Sequence, residues 1–293
     1  MLRGHFRRPA LPFRPCFDIF TQEQGACGRE EARVKQMRWL VAGAVSLMVS
    51  SCGTLKVPPP PLRVGVTPNY PPIIMLKGQK AAGAECDFAV QLARELGRPL
   101  ELMPVPWELQ LEELEASRTD IVMSGLTVTA ARKARVGFCD SYMDNPLMAV
   151  VRRGESGRFA SALAILGATG GIGVLKGTSA DAFARRECPN GKVLPLSSRD
   201  DVVFYLANQR IDLFIDDLAA AVQIVTRHEA RLELVRIPLE SQKLAWAVRA
   251  DDEALRRQAN EALARWRANG LLAQILDRWM PWRQAATGVS SAR

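Results

Sequence analysis

Gly125-Leu126-Thr127-Val128-Thr129, with Arg132 three residues further on, is the part of this 293-residue chain best equipped for recognition chemistry. An apolar run, Ile121-Val122-Met123, leads into small and hydroxyl residues and then a guanidinium. Such a strand end offers backbone N–H groups, hydroxyls and a planar five-donor fork, the parts of a receptor for one small carboxylate. The competing reading is a turn with a surface arginine, but no acidic residue in the preceding loop claims Arg132.

Other segments carry compatible chemistry. Lys176-Gly177-Thr178-Ser179 lies between an apolar strand pattern and a helical one, where helix N–H groups suit an anion and Thr178 or Ser179 suits a cap. Asp216 and Asp217 follow Asp212-Leu213-Phe214-Ile215 and precede an alanine-rich helix. One of them either caps that helix or accepts hydrogen bonds from an ammonium. Carboxylate receptors together with such an aspartate form the minimum set for an α-amino acid. Tyr70, in Asn69-Tyr70-Pro71-Pro72, and Trp107 stand after strand patterns and either wall a ligand or pack in the core.

Catalytic machinery is sparse. Of two histidines, His5 lies near the start and His228 in a polar stretch, so a Ser/His/Asp or Cys/His arrangement has little to draw on. No His/Asp/Glu grouping has metal-ligand spacing. Gly167–Gly173 matches neither dinucleotide nor P-loop order and reads as a turn before a strand. The expectation is a binding protein without cofactor or metal.

The elements that must position these residues alternate between short apolar runs and helical patterns, the sign of βαβ units. Strands are expected at Leu62–Val66, Leu100–Val105, Asp120–Met123 and Leu147–Val151, with helices at Glu85–Leu96 and Trp107–Ser117. After Gly154-Glu155-Ser156-Gly157 a second series begins: strands at Ile172–Leu175, Val193–Leu196 and Ile211–Ile215, and helices at Ala180–Arg186, Asp200–Asn208 and Leu218–Arg227. A strand at Leu244–Val248 and closing helices at Asp252–Ala268 and Gly270–Met280 complete the pattern. Two α/β lobes follow, with every candidate residue at a strand end, where such folds bind ligands.

Length and composition fit a globular protein with ample core, at 48% hydrophobic and 24% charged residues. The net charge of +8 does not signal nucleic-acid binding. Residues 1–51 hold eight Lys/Arg against four Asp/Glu, and no later basic run is interleaved with aromatics. Arg38, the apolar run Trp39 to Val49 and then Val49-Ser50-Ser51-Cys52 describe an export signal over 37–51, too short to span a membrane. Residues 1–36 fit no element, and Met37 is expected to be the true start. Residues 52–61 read as a polyproline-rich tether and 283–293 as a frayed tail. Cys86, Cys139 and Cys188 show no zinc or disulfide framework and read as small buried residues.

Cys52 after the small pair resembles a bacterial lipobox, which implies cleavage before it and attachment of lipid, palmitate included, to its thiol and amino group. The body of the chain resembles the amino-acid-binding proteins of ABC importers, solute-binding family 3. The resemblance runs through Leu62-Arg63-Val64-Gly65-Val66, Asn69-Tyr70-Pro71-Pro72, Gly125 to Thr129 with Arg132, and Phe138-Cys139-Asp140-Ser141-Tyr142. It continues through Lys176-Gly177-Thr178, Asp212 to Asp217, and Gly270 with Trp279. It implies a two-lobed α/β fold of the type II periplasmic-binding class joined by two hinge strands. One lobe would span 62–149 plus 244–282 and the other 150–243.

It also implies roles. Arg132 would grip an α-carboxylate with Thr127 and Thr178, Asp217 would take the α-amino group, and Tyr70 would line the side-chain pocket. Gly125, Glu85 and Ser124 would contribute to the same pocket. The implied partners are a small amino acid, an ABC permease and, through Cys52, the membrane facing the periplasm or cell exterior, with the protein a monomer. The chain departs from the pattern at Pro72-Ile73, at Gly83-Ala84-Glu85, where an aromatic is missing, and at Thr67, where relatives that bind basic amino acids carry an aspartate. An alternative on the same fold is a cyclohexadienyl dehydratase, with Glu85 or Asp217 as the acid.

Overall fold

In the computed structural model, residues 58–283 are described. The expected export signal at 37–51, the lipidation site Cys52 and the stretches 1–36 and 284–293 lie outside the described residues.

Two five-stranded sheets of the same design make up the body. In the first, parallel strands Leu100–Pro104, Leu62–Val66 and Ile121–Val122 lie side by side, followed by antiparallel Ala247–Arg249 and then Val136–Phe138. In the second, parallel strands Lys192–Leu196, Gly171–Leu175 and Leu213–Asp217 are followed by antiparallel Leu147–Arg152 and then Leu232–Glu240. In each sheet the fourth strand follows a crossing from the other lobe. The crossings are pinned as a two-stranded ladder, Lys243 opposite Asp144 and Leu244 opposite Met143. These are the two hinge strands the fold class requires.

Strand Leu147–Arg152 pairs on both sides within the second sheet, so that lobe begins just after the hinge at Met143–Asp144 rather than at residue 150. Its sequence, buried at five of six positions, reads as a central strand of either lobe, and only the pairing assigns it. A three-stranded flap, Asn69–Tyr70, Ile74–Lys77 and Lys80–Ala82, is added to the first lobe and was not expected from the sequence.

Helices form where apolar spacing and caps agree. Ala84–Leu96 buries Phe88, Ala89 and Leu92 on one face and ends at Gly97, whose φ of 62° lets its N–H close the last turn. Leu218–Arg227 starts directly after Asp217, whose carboxylate accepts from the Ala220 N–H at 3.1 Å. The expected helices at Trp107–Ser117 and Asp200–Asn208 are each split into a 3₁₀ turn and a short α-helix, Gln110–Glu115 and Val202–Ala207. Helices Glu253–Asn269 and Leu271–Trp279 return to the first lobe, where Leu263, Trp266 and Ile275 join Phe88, Trp246 and Leu62 in its core.

Candidate functional site

The carboxyl ends of the three parallel strands in each lobe turn toward the same space, a cleft of about 190 Å³. From the first lobe come Asn69 and Tyr70 beyond Val66, Trp107 and Glu108 beyond Pro104, and Ser124, Gly125, Thr127 and Arg132 beyond Val122. From the second come Lys176, Thr178 and Ser179 beyond Leu175, Ser197 and Arg199 beyond Leu196, and Asp217 at its strand's end. The lobes touch across the cleft. Trp107 Nε1 donates to Gly177 O at 3.3 Å, Ser179 Oγ lies 3.4 Å from Thr127 Oγ1, and the Arg199 guanidinium lies 4.5 Å above the Tyr70 ring.

Thr129 caps the single turn Ala130–Lys133 by accepting from the Arg132 N–H at 3.2 Å, which fixes the base of the arginine. Arg132 Nη1 donates to the Thr127 carbonyl at 2.9 Å, and the guanidinium stacks 5.2 Å from the Trp107 ring centroid. No carboxylate pairs with Arg132 among the described residues, and burial pulls its pKa down to about 10. It is therefore a desolvated cation with donors to spare, facing a cleft. Such a group gains most from an incoming anion.

Asp217 stands on the opposite lobe. One of its oxygens caps helix Leu218–Arg227, and the side chain is also part of the cleft wall. The capping role and the ligand-facing role are both available because a carboxylate has two oxygens. Burial, and then the charge of adjacent Asp216, push its carboxyl above the usual range, while Arg199, Tyr70 and the Ala220 amide favour the ionised form. A ligand ammonium there would complete its set of partners.

Seven of the eight expected ligand residues line the cleft: Tyr70, Ser124, Gly125, Thr127, Arg132, Thr178 and Asp217. Glu85 does not. It is fully buried behind the cleft floor, where its carboxylate accepts from the Gly125 N–H at 2.9 Å, the Tyr142 hydroxyl at 2.7 Å and Trp246 Nε1 at 2.7 Å. Phe88, Tyr142, Trp246 and Trp266 pack edge and face around it. Burial pushes its carboxyl up to about 7 against three donors that favour the charge. Glu85 positions the loop; it does not touch the ligand space.

Several lining residues do other work than the sequence suggested. The Gly125 amide is committed to Glu85, so it is not an exposed donor. Gly125 is needed instead for a φ of 68° and for room, since a Cβ there would sit 2.5 Å from Tyr70 Cε1. The Thr178 hydroxyl accepts from the Asp181 N–H at 3.3 Å and donates to Leu175 O at 2.7 Å, so it has no hydrogen left to offer a ligand. The Ser124 hydroxyl accepts from the Thr67 N–H at 2.8 Å and keeps its own hydrogen to donate. Tyr70 walls the cleft, but one face of its ring is covered by Arg199 and its hydroxyl accepts from Asn145 at 2.9 Å. Thr67 does not line the cleft; its hydroxyl donates to Val105 O at 2.7 Å and accepts from Gln110 at 2.8 Å.

Arg199 is the functional-site residue that sequence reasoning passed over. Nε donates to Asp216 Oδ2 at 2.7 Å and Nη2 to Oδ1 at 3.3 Å, an ion pair whose side chains are 14% and 2% exposed. The available signal was the Asp216-Asp217 doublet: one strand end rarely holds two buried carboxylates without a cation.

The comparisons with known proteins bear on the family and the fold. Residues 62–281 match the family described as bacterial extracellular solute-binding proteins, family 3. The chain is 29% identical over 221 residues to the L-cystine-binding protein TcyJ of Escherichia coli strain K12, covering 74% of this chain and 82% of that protein. It is 25% identical over 230 residues to the cyclohexadienyl dehydratase of Pseudomonas aeruginosa, covering 76% and 83%. A solved structure of a binding component of an ABC transporter from Wolinella succinogenes, complexed with lysine, superposes with a TM-score of 0.71 at 26% identity. It covers 74% of this chain and 94% of that one. With its two-lobed fold, its hinge pair and a family match spanning both lobes, the chain belongs to the bacterial extracellular solute-binding proteins, family 3.

Proposed function

We propose that this protein captures one amino acid between its lobes, with the ligand α-carboxylate on Arg132 and its α-ammonium on Asp217. The observation that carries the reading is the placement of an unpaired, desolvated guanidinium and a ligand-facing carboxylate on opposite walls of one cleft. Ser124, Thr127 and the first-turn amides of helix Ser179–Glu187 support the carboxylate end. A ligand spanning Arg132 and Asp217 ties the two lobes together, which favours the closed arrangement by its differential affinity for it. The protein acts as a binding protein, and delivery to an ABC permease from a lipid anchor at Cys52 belongs to this proposal.

Calorimetric titration with the common amino acids and L-cystine tests it. At least one should bind, and Arg132→Ala should abolish the heat. An affinity unchanged in that variant refutes the assignment. Mass spectrometry of the membrane fraction should find an acylated peptide beginning at Cys52. The dehydratase alternative is weaker, because Glu85, one of its two candidate acids, is sealed behind the cleft floor.

A further inference from the structure

The second guanidinium of the cleft has donors left over. Arg199 spends Nε and one Nη2 hydrogen on Asp216, while Nη1 meets no acceptor among the described residues. Its guanidinium covers Tyr70, and it shares the wall with Asn69, Leu196 and Ser197. Asp216 balances its charge from behind, where it is held at a strand end and also accepts from the Asp217 N–H at 2.9 Å. Arg199 lines this wall, so a ligand side chain that reaches it comes up against the guanidinium. The wall's one ionised acceptor, Asp217, is already assigned to the ligand ammonium. The remaining charged lining residues, Glu108 and Lys176, are exposed and opposite in sign, so they set no net preference.

We infer that Arg199 is the specificity-determining residue of the cleft: it admits amino acids whose side chain ends in a hydrogen-bond acceptor, an amide carbonyl or carboxylate, and rejects those that end in a cation. This rests on the amino-acid reading above. The selection works in both directions. An acceptor completes the Arg199 fork, whereas an ammonium or guanidinium presents hydrogens to hydrogens and leaves both sides unpaired. Arg199 also reaches the ligand through Tyr70, whose ring it holds against Gly125.

The test is calorimetric titration of the purified protein with L-glutamine, L-glutamate, L-cystine, L-lysine and L-arginine. The best acceptor-ended ligand should bind at least about tenfold tighter than lysine or arginine, as a site built to hydrogen-bond one terminus requires. Arg199→Ala alone strands the Asp216 charge and threatens folding, so the diagnostic variant is Arg199→Gln combined with Asp216→Asn. It should bring the preference below about threefold, chiefly by weakening the acceptor-ended ligand. Wild-type protein that binds lysine or arginine as tightly as glutamine or glutamate overturns the inference. A double variant that keeps the full preference does so too. Binding of no amino acid at all overturns the underlying reading and this inference together, and is told apart from the first two outcomes by the absence of heat.

Discussion

Arg132 and Arg199 face the same cleft from opposite lobes and are provisioned in opposite ways. Arg132 has a backbone carbonyl and an indole face but no carboxylate, and burial depresses its pKa to about 10. Arg199 has a carboxylate gripped through two nitrogens, and that carboxylate raises its pKa despite the opposing effect of burial. The first is a cation whose counterion must come from outside. The second carries its counterion and keeps N–H groups outside that ion pair. On the proposed reading, the difference separates what a ligand must have, a carboxylate, from what it is chosen by, the end of its side chain.

Removing each arginine should therefore break different things. Arg132→Ala has the largest expected effect on binding: loss of charge-assisted hydrogen bonds worth about 1.5–3 kcal/mol each should weaken the ligand by at least about 100-fold. Its melting temperature should change little, since no buried counterion is stranded. Arg199→Ala should show the reverse order. It leaves Asp216 buried and unpaired, a loss of about 3–5 kcal/mol that should appear as a lowered melting temperature before any ligand is added. Adding Asp216→Asn should restore most of that temperature. If Arg132→Ala melts earlier than Arg199→Ala, the contrast between the two sites is wrong.

The legibility of the two arginines in the sequence follows the same physics. Arg132 was visible because its environment is local: a strand end, a Thr129 cap and a turn, all within a few residues. Arg199 was not, because Ser198-Arg199-Asp200-Asp201 looks like an ordinary helix start, and its real partner lies 17 residues away on another strand. The helix Leu218–Arg227 was legible to the residue, since Asp217 caps it directly. Glu85 was misassigned for the converse reason. The resemblance placed it in the ligand pocket, but three donors from residues 125, 142 and 246 converge on it only in three dimensions and hold it behind the cleft floor. The two-lobed pattern came from alternating strands and helices, while the position of the hinge needed the ladder between residues 143–144 and 243–244.

A further effect should come from the floor that joins the two sites. Gly125→Ala forces a side chain into a left-handed φ and against the Tyr70 ring, whose other neighbour is Arg199. Strain of about 1–2 kcal/mol from the backbone adds to about 1–3 kcal/mol from overpacking. Displacing the Tyr70 ring disturbs its contact with Arg199, so ligand selectivity should loosen along with stability. A variant as stable and as selective as wild type would show that the Tyr70 ring has room the structure does not give it.

The smallest expected effect is a pH dependence, and its sign separates Glu85 from the surface carboxylates. Burial raises the Glu85 carboxyl to about 7, so the folded protein holds a proton there that the unfolded chain has lost. Stability from this group is fully present below the unfolded value, falls as pH rises toward 7 and is flat above it. Asp217, raised by burial and by Asp216, contributes in the same direction. Paired surface acids such as Glu113 and Glu155 are lowered, by their hydrogen bonds to Arg118 and Arg152, and lose their contribution only in stronger acid. Melting temperature without ligand should therefore be higher at pH 5.5 than at pH 8. Glu85→Gln should flatten part of that slope while costing stability at every pH, since an amide cannot accept from all three donors. Ligand affinity should run the other way, weakening on acidification, because the ammonium needs Asp217 ionised. Glu85→Gln should leave the pH dependence of affinity in place, and a variant that loses that dependence as well would mean that the Glu85 floor and the Asp217 wall titrate as one.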